Sequence, residues 1–135
     1  MSRLERQIAA LPWRKRKGRI EVLLITSRET KRWVIPKGWP MDHLIDSNAA
    51  RREAFEEAGV SGHIRRKAVG HFDYKKMMKD GPGVDVRVGV YSLEVTDELK
   101  SWPEKRERNR QWFSVDDAVW HVTEAGLKDI IRRFG

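Results

Sequence analysis

The sequence has no cysteine. That excludes disulfides, thiolate metal sites and a cysteine nucleophile, and it leaves oxygen donors and the 4 histidines to hold any metal. Long hydrophobic runs are also missing. None approaches the ~20 residues a helix needs to cross a bilayer, so no membrane partner is expected. The short apolar stretch Ile8-Ala9-Ala10-Leu11 ends at Pro12 and precedes the basic Arg14-Lys15-Arg16-Lys17, the wrong order for a secretory signal. The expectation is a cytoplasmic protein. Acidic residues are in short supply, 20 against 28 basic ones, giving a formal net charge of +8. This balance predicts an anionic partner without naming it. No helix-turn-helix or zinc-finger module is legible, which argues against duplex DNA. His43, His63, His71 and His121 share no metal-ligand spacing, so solvated or hydrogen-bonded roles are expected for them.

What is present suits a single domain, residues 1–135, of a size that buries a real core. Apolar patterning predicts strands over 7–13 and 19–27, with a turn at 15–18, and a third short strand over 33–35. An alanine- and glutamate-rich helix is expected over 47–58, stopped by Gly59. A further strand is expected between Ile64 and Tyr74. Lys79-Asp80-Gly81-Pro82-Gly83 reads as a turn, followed by the alternating Val84, Val86, Val88 and Val90 of a half-buried strand that continues through Val95. Residues 94–110 read mostly as charged loop, and 111–113 as a last strand. Ser114 and Asp117 form a capping box for a helix through Trp120, and Thr123 is placed to cap a final helix reaching Phe134. Strands around one internal helix, with a helical C-terminus and hairpin signals, predict an α/β arrangement with mixed pairing rather than a doubly wound sheet.

The chemistry concentrates between Glu53 and Glu57. On a helix Glu53, Glu56 and Glu57 stand at i, i+3 and i+4 and so become neighbours. In a cleft of effective dielectric ~20, two such charges ~5 Å apart repel by roughly 3 kcal/mol; on a solvated face the penalty falls to a few tenths. A divalent cation best explains the cluster, and oxygen ligands favour magnesium or manganese. The alternative is a solvated helix face in which Arg52 supports Glu56 as its i+4 partner. Just upstream, Trp33-Val34-Ile35-Pro36-Lys37-Gly38-Trp39-Pro40 runs from a short strand into a Pro/Gly loop with a lysine suited to phosphate. Lys37 is read as a phosphate contact or an exposed loop lysine, and Trp33 and Trp39 as packing residues or base-stacking platforms. Arg14 to Lys17 reads as a solvated turn or a substrate clamp. Arg106, Arg108 and Arg110 alternate as if facing one way, towards a polyanion or plain solvent.

Gly38, Arg52, Glu53, Ala54, Glu56, Glu57, Gly59 and Val60 together resemble the signature of the Nudix hydrolases. One position departs from it: Leu44 stands where the family has its first glutamate, a residue that organises the loop through the arginine. Asp42 and Asp46 are candidate substitutes for that role. The segment from Trp33 to Gly38 resembles diadenosine polyphosphate hydrolases, while Leu99 to Glu104 and Gln111 to Ala118 resemble the diphosphoinositol polyphosphate branch.

The resemblance implies an α/β/α sandwich with a mixed sheet carrying the signature loop and helix. It implies a magnesium-dependent pyrophosphohydrolase that cleaves a diphosphate linkage in a dinucleoside polyphosphate or diphosphoinositol-polyphosphate-like anion. Glu53, Glu56 and Glu57 would hold the metal, with Arg52 among the catalytic residues. Lys37, Gly38 and Trp39 would meet substrate. The general base stays open among these glutamates and carboxylates outside the signature, Glu104 and Glu107 included. Two alternatives stand beside this reading: removal of pyrophosphate from the 5′ end of RNA, and a catalytically silent Nudix domain that binds nucleotides or RNA.

Overall fold

In the computed structural model, which describes residues 4–135, the organising element is the long first strand, β1 (Leu4–Arg16). Leu4 to Trp13 pair in parallel with Asp85 to Glu94 of β7 (Gly81–Glu98), while the far end of β1 folds back antiparallel on β2 (Arg19–Thr26). The hairpin between β1 and β2 turns through Lys17 and Gly18, at φ +52° and +76°. Two successive left-handed residues suit the right-handed twist of the flanking strands. The central strand order is β3 (Trp33–Val34), β2, β1, β7, β5 (Val60–Ile64). β4 (Lys37–Gly38) adds to β1, β6 (Gly70–Met78) to β7, and β8 (Arg110–Ser114) to β2.

Strict alternation in β1 and β2 builds the two faces. Ile8, Ala10, Leu23 and Ile25 point to one side and pack with Ala49, Ala50, Ala54 and Ala58 of the internal helix. Ala9, Leu11, Val22 and Leu24 point to the other and pack with Leu127, Ile130 and Ile131. A one-residue slip would exchange the two sets, so burial on both faces pins the register. Helix α1 (Asp46–Glu53) covers the first face; α2 (Val115–His121) and α3 (Ala125–Phe134) cover the second. The result is the expected α/β/α sandwich with a mixed sheet. Small alanines on α1 let the helix lie close to the sheet, which holds its glutamates near β4.

Several local expectations change. The single strand expected from Ile64 to Tyr74 is two, because Arg65 and Val69 bond to Ser92 and Val90 of β7 on either side of a crossing segment. β7 runs on to Glu98, so the charged loop is shorter than 94–110. Ser114 does cap α2, its Oγ accepting from the Asp117 N–H at 3.1 Å. Thr123 does not cap α3: its hydroxyl accepts from Arg32 at 2.9 Å, and Glu124 holds the cap position without a side-chain bond. No helix among the described residues is long and apolar enough to cross a membrane.

Candidate active site

After Glu53 the internal helix widens into a π-helical turn, Ala54–Ala58, closed by Gly59 at φ +66°. Such turns insert a residue into the helical ladder and recur at functional sites. The widening separates the three glutamates expected to share one face. Glu53 and Glu57 are 8% and 9% exposed and line a cleft of about 570 Å³, whereas Glu56 turns to the rim, where it accepts from Arg52 Nε at 3.2 Å. Arg52 is well exposed. Asp46, one of its candidate partners, instead pairs with Arg6.

Both inward carboxylates are fitted against β4. A Cβ on Gly38 would lie 1.5 Å from Glu53 Oε2, so only glycine lets that carboxylate approach the strand. Glu57 Oε1 accepts the Lys37 N–H at 3.3 Å. Burial pushes the Glu53 carboxyl up to about 7, with Glu57, Glu56 and Glu104 adding repulsion. Burial also raises Glu57 to about 7; Arg108 opposes that shift, Glu104 adds to it, and the Lys37 N–H opposes it. Lys37 is itself held below its ordinary value by burial, which Glu57 only partly offsets. Its Nζ lies 5.3 Å from the Tyr74 ring centroid, and Tyr74 donates to Gln7 at 2.7 Å on the cleft floor.

The loop after β7 closes one side of the site. Arg108, 9% exposed at its side chain, donates to Glu104 at 2.8 Å and to the Thr26 carbonyl at 3.2 Å, and its Nη2 is 3.7 Å from Glu57 Oε2. The Glu104 N–H reaches the Glu56 carbonyl at 3.1 Å, and Trp102 Nε1 reaches the Glu57 carbonyl at 3.1 Å. Arg110 stacks over Trp102 at 4.0 Å and bonds the carbonyls of Ala58, Gly59 and Leu99. The alternating arginines therefore do not face one way: Arg106 is exposed, while Arg108 and Arg110 turn inward. The alternation was visible in the sequence, but the buried carboxylate and carbonyls that draw two of them in were not. Glu107 does not line the cleft but pairs with Arg28 of its rim at 3.6 Å.

Arg28, Arg32, Lys75 and Lys76 give the cleft a basic rim, and Trp39, 48% exposed, stands on it. Trp33 packs edge-on against Phe113 with centroids 5.0 Å apart, which settles it as a packing residue. Leu44 is partly buried against the α1 core cluster and shares a second surface cavity with Arg52 and Phe55. Among the described residues no three His, Asp or Glu side chains form a ready-made metal cage. The chemistry of the donor set still fits a magnesium-type ion. Two buried carboxylates lack enough positive charge, and Mg²⁺ is commonly held by one or two carboxylates while water and substrate phosphates complete its shell.

An α/β/α sandwich whose internal helix sets two buried carboxylates against a glycine strand, beside a cleft with a basic rim, defines the structural class. The NUDIX domain profile matches residues 4–134, and the chain belongs to the Nudix family. Among relatives, it is 36% identical to Nudix hydrolase 12, mitochondrial, of Arabidopsis thaliana over 76% of this chain and 52% of that protein. It is 39% identical to diphosphoinositol polyphosphate phosphohydrolase 3-beta of Bos taurus over 73% of this chain and 58% of that protein. The chain thus spans little more than half the length of these two relatives. Among solved structures, a C. elegans Ap4A hydrolase superposes with TM-score 0.70 at 25% identity, covering 96% of this chain and 94% of the other. A Nitrosomonas europaea NUDIX hydrolase at 17% identity, TM-score 0.73, covering 98% of this chain and 88% of that one, shares the fold.

Proposed function

We propose that the chain is a divalent-metal-dependent pyrophosphohydrolase cleaving a phosphoanhydride in a dinucleoside polyphosphate or a diphosphoinositol-polyphosphate-like anion. The observation that carries this is the pair Glu53 and Glu57, buried, raised to about 7 and facing a cleft rimmed with arginine and lysine. Without a cation such a pair is costly, and the basic rim selects a phosphate-rich ligand to face it. Glu53 and Glu57 would hold magnesium or manganese, with Glu56 completing the donor set from the rim. Bound there, the ion supplies Lewis-acid neutralisation of phosphate oxygens.

The chain's own groups orient the substrate. Lys37 and the rim cations bind phosphates and draw off charge as the leaving oxygen departs. Gly38 keeps Glu53 pressed to β4. Arg108 holds Glu57 and Glu104 in place and closes the loop side, and Arg52 steadies Glu56. A carboxylate with its pKa near neutrality is suited to accept a proton from the attacking water, which makes Glu53 and Glu57 candidates; Glu104 is a third on position alone, through its bond with Arg108 beside Glu57. Trp39 on the rim supports the second reading, removal of pyrophosphate from an RNA 5′ end, since an exposed indole is a platform for a terminal base. From composition we infer a cytoplasmic setting.

The test is magnesium-dependent product release from a panel of dinucleoside polyphosphates, diphosphoinositol polyphosphates, nucleoside diphosphate sugars and 5′-triphosphate RNA. Glu57→Gln serves as the blank. Turnover of a dinucleoside or diphosphoinositol polyphosphate, abolished in the blank, supports the reading and names the substrate, whereas turnover of 5′-triphosphate RNA supports the second reading. Magnesium-dependent binding without turnover of any class would replace it with the silent binding module.

A further inference from the structure

At the other end of β1 from the catalytic cleft lies a second groove, of about 600 Å³, on the α3 side of the sheet. Trp13 and Phe134 line it, their rings edge to face at 5.5 Å and both only partly buried. Its wall is the crossing segment between β5 and β6, which presents Arg65, Arg66 and Lys67 side by side, all exposed. Arg133, in the last turn of α3, approaches the same wall near Gly70. Many cations of this chain are paired: Arg14 with Glu21, Arg87 with Asp73, Arg132 with Asp129. Among the described residues Arg65, Arg66, Lys67 and Arg133 have no carboxylate within ion-pair reach. Two acidic residues stand nearby: Glu94, opposite Trp13 on β7, and Asp129, one turn before Arg133, which accepts from Arg133 through its carbonyl and pairs its carboxylate with Arg132.

Three features separate this groove from an ordinary solvated charge run. The three cations are consecutive and held on a short crossing anchored at both ends, by the Arg65 N–H to Ser92 and the Val69 N–H to Val90 at 3.0 and 2.8 Å. An aromatic pair borders them. The groove is also far from the active site: Gln7 on the cleft floor and Trp13 are separated along β1 by roughly 20 Å, too far for one small phosphorylated ligand to touch both. Repeating negative charge along a strand, together with exposed flat faces, is the chemistry of single-stranded nucleic acid. Such chains are held by cationic grooves that track the backbone and by aromatic rings that take bases. Free polyphosphate would use the cations and leave the rings idle.

We propose that this groove is a non-catalytic binding surface for single-stranded nucleic acid. Arg65, Arg66, Lys67 and Arg133 take phosphates, and the Trp13–Phe134 pair takes a base.

The experiment measures binding of a fluorescently labelled 12-nucleotide oligoribonucleotide, and of its DNA counterpart, by anisotropy across a salt series. The full chain is compared with the triple variant Arg65→Gln, Arg66→Gln, Lys67→Gln. Among the described residues these exposed side chains make no hydrogen bond or ion pair, and hydrolysis of the best small substrate, expected unchanged, reports on the separate catalytic cleft. The expected result is at least tenfold weaker binding by the variant at 0.1 M salt and a salt slope lower by about 2. An abasic strand of equal length should bind more weakly than the base-bearing one, and a duplex should compete poorly. The assignment stands whether RNA or DNA binds better or the two bind equally, and a preference for one names the source. Binding by the variant within twofold of the original overturns the proposal, as does an abasic strand that binds equally well. Loss of binding in Lys75→Gln, Lys76→Gln in place of the triple variant would also overturn it, by moving the contact to the cleft.

Discussion

At the scale of single residues, Glu53 and Glu57 carry the proposed chemistry, and their burial comes at a cost to the metal-free fold. Their carboxyls stand at about 7 in the folded chain against an ordinary value of 4.5. Between those pH values the folded protein keeps protons that the unfolded chain has released, so the unfolded state binds fewer. Stability is then fully present below pH 4.5 and is lost as pH rises through 7. In chelator, Tm should fall from pH 5 to pH 8, Glu57→Gln should flatten that fall, and magnesium should raise Tm more at pH 8 than at pH 5. A metal-free Tm that climbs over this range would contradict the burial of the pair. Glu57→Gln should lower turnover by orders of magnitude while circular dichroism stays unchanged, because it removes charge rather than volume. Gly38→Ala should have a comparable effect, about 100-fold, since the added Cβ drives Glu53 off β4. Full activity in either variant would remove these residues from the site.

At the scale of elements, the π turn and the loop after β7 act as one piece. Trp102 and Arg110 bond to carbonyls at the C-terminal end of the helix, and Gly59 leaves them room. A Cβ at Gly59 would meet the Trp102 ring at 2.4 Å while also sitting at φ +66°. Gly59→Ala should therefore cost about 2 kcal/mol and lower Tm by roughly 5–10 °C; a shift under a degree in calorimetry would show that the loop simply moves aside. Leu44→Glu is expected to change turnover less than twofold, because Arg52 already has Glu56 and Leu44 packs on the α1 cluster. A large gain in kcat would mean that Arg52 needs the second carboxylate after all.

At the scale of the whole molecule, an excess of +8 and a basic cleft should steer anionic substrates inward. kcat/KM on a highly phosphorylated substrate should fall steeply between 50 and 300 mM salt, with kcat little changed, since screening acts on encounter. A flat salt profile would assign the net charge to solubility or to another surface. Most of this architecture was legible beforehand. The apolar runs of β1 and β2, the alternation in β7, the stop at Gly59 and the cap at Ser114 are local signals, and each reports its own burial or hydrogen bond. The two-residue strand β4 was not legible, because it exists only by pairing with the distant β1.

By itself the sequence determined the acidic helix, the register of Gly38 with Glu53, the basic balance and the mixed α/β class, because periodicity, spacing and composition are local properties. Tertiary structure alone decided that Glu53 and Glu57 turn inward while Glu56 joins Arg52 at the rim, that Arg108 reaches Glu57 from 51 residues away (108 against 57), and that Arg65 to Lys67 meet Trp13 and Phe134. Those outcomes depend on a π turn selected by packing and on desolvation by distant segments, and no window of sequence contains both sides of such a contact.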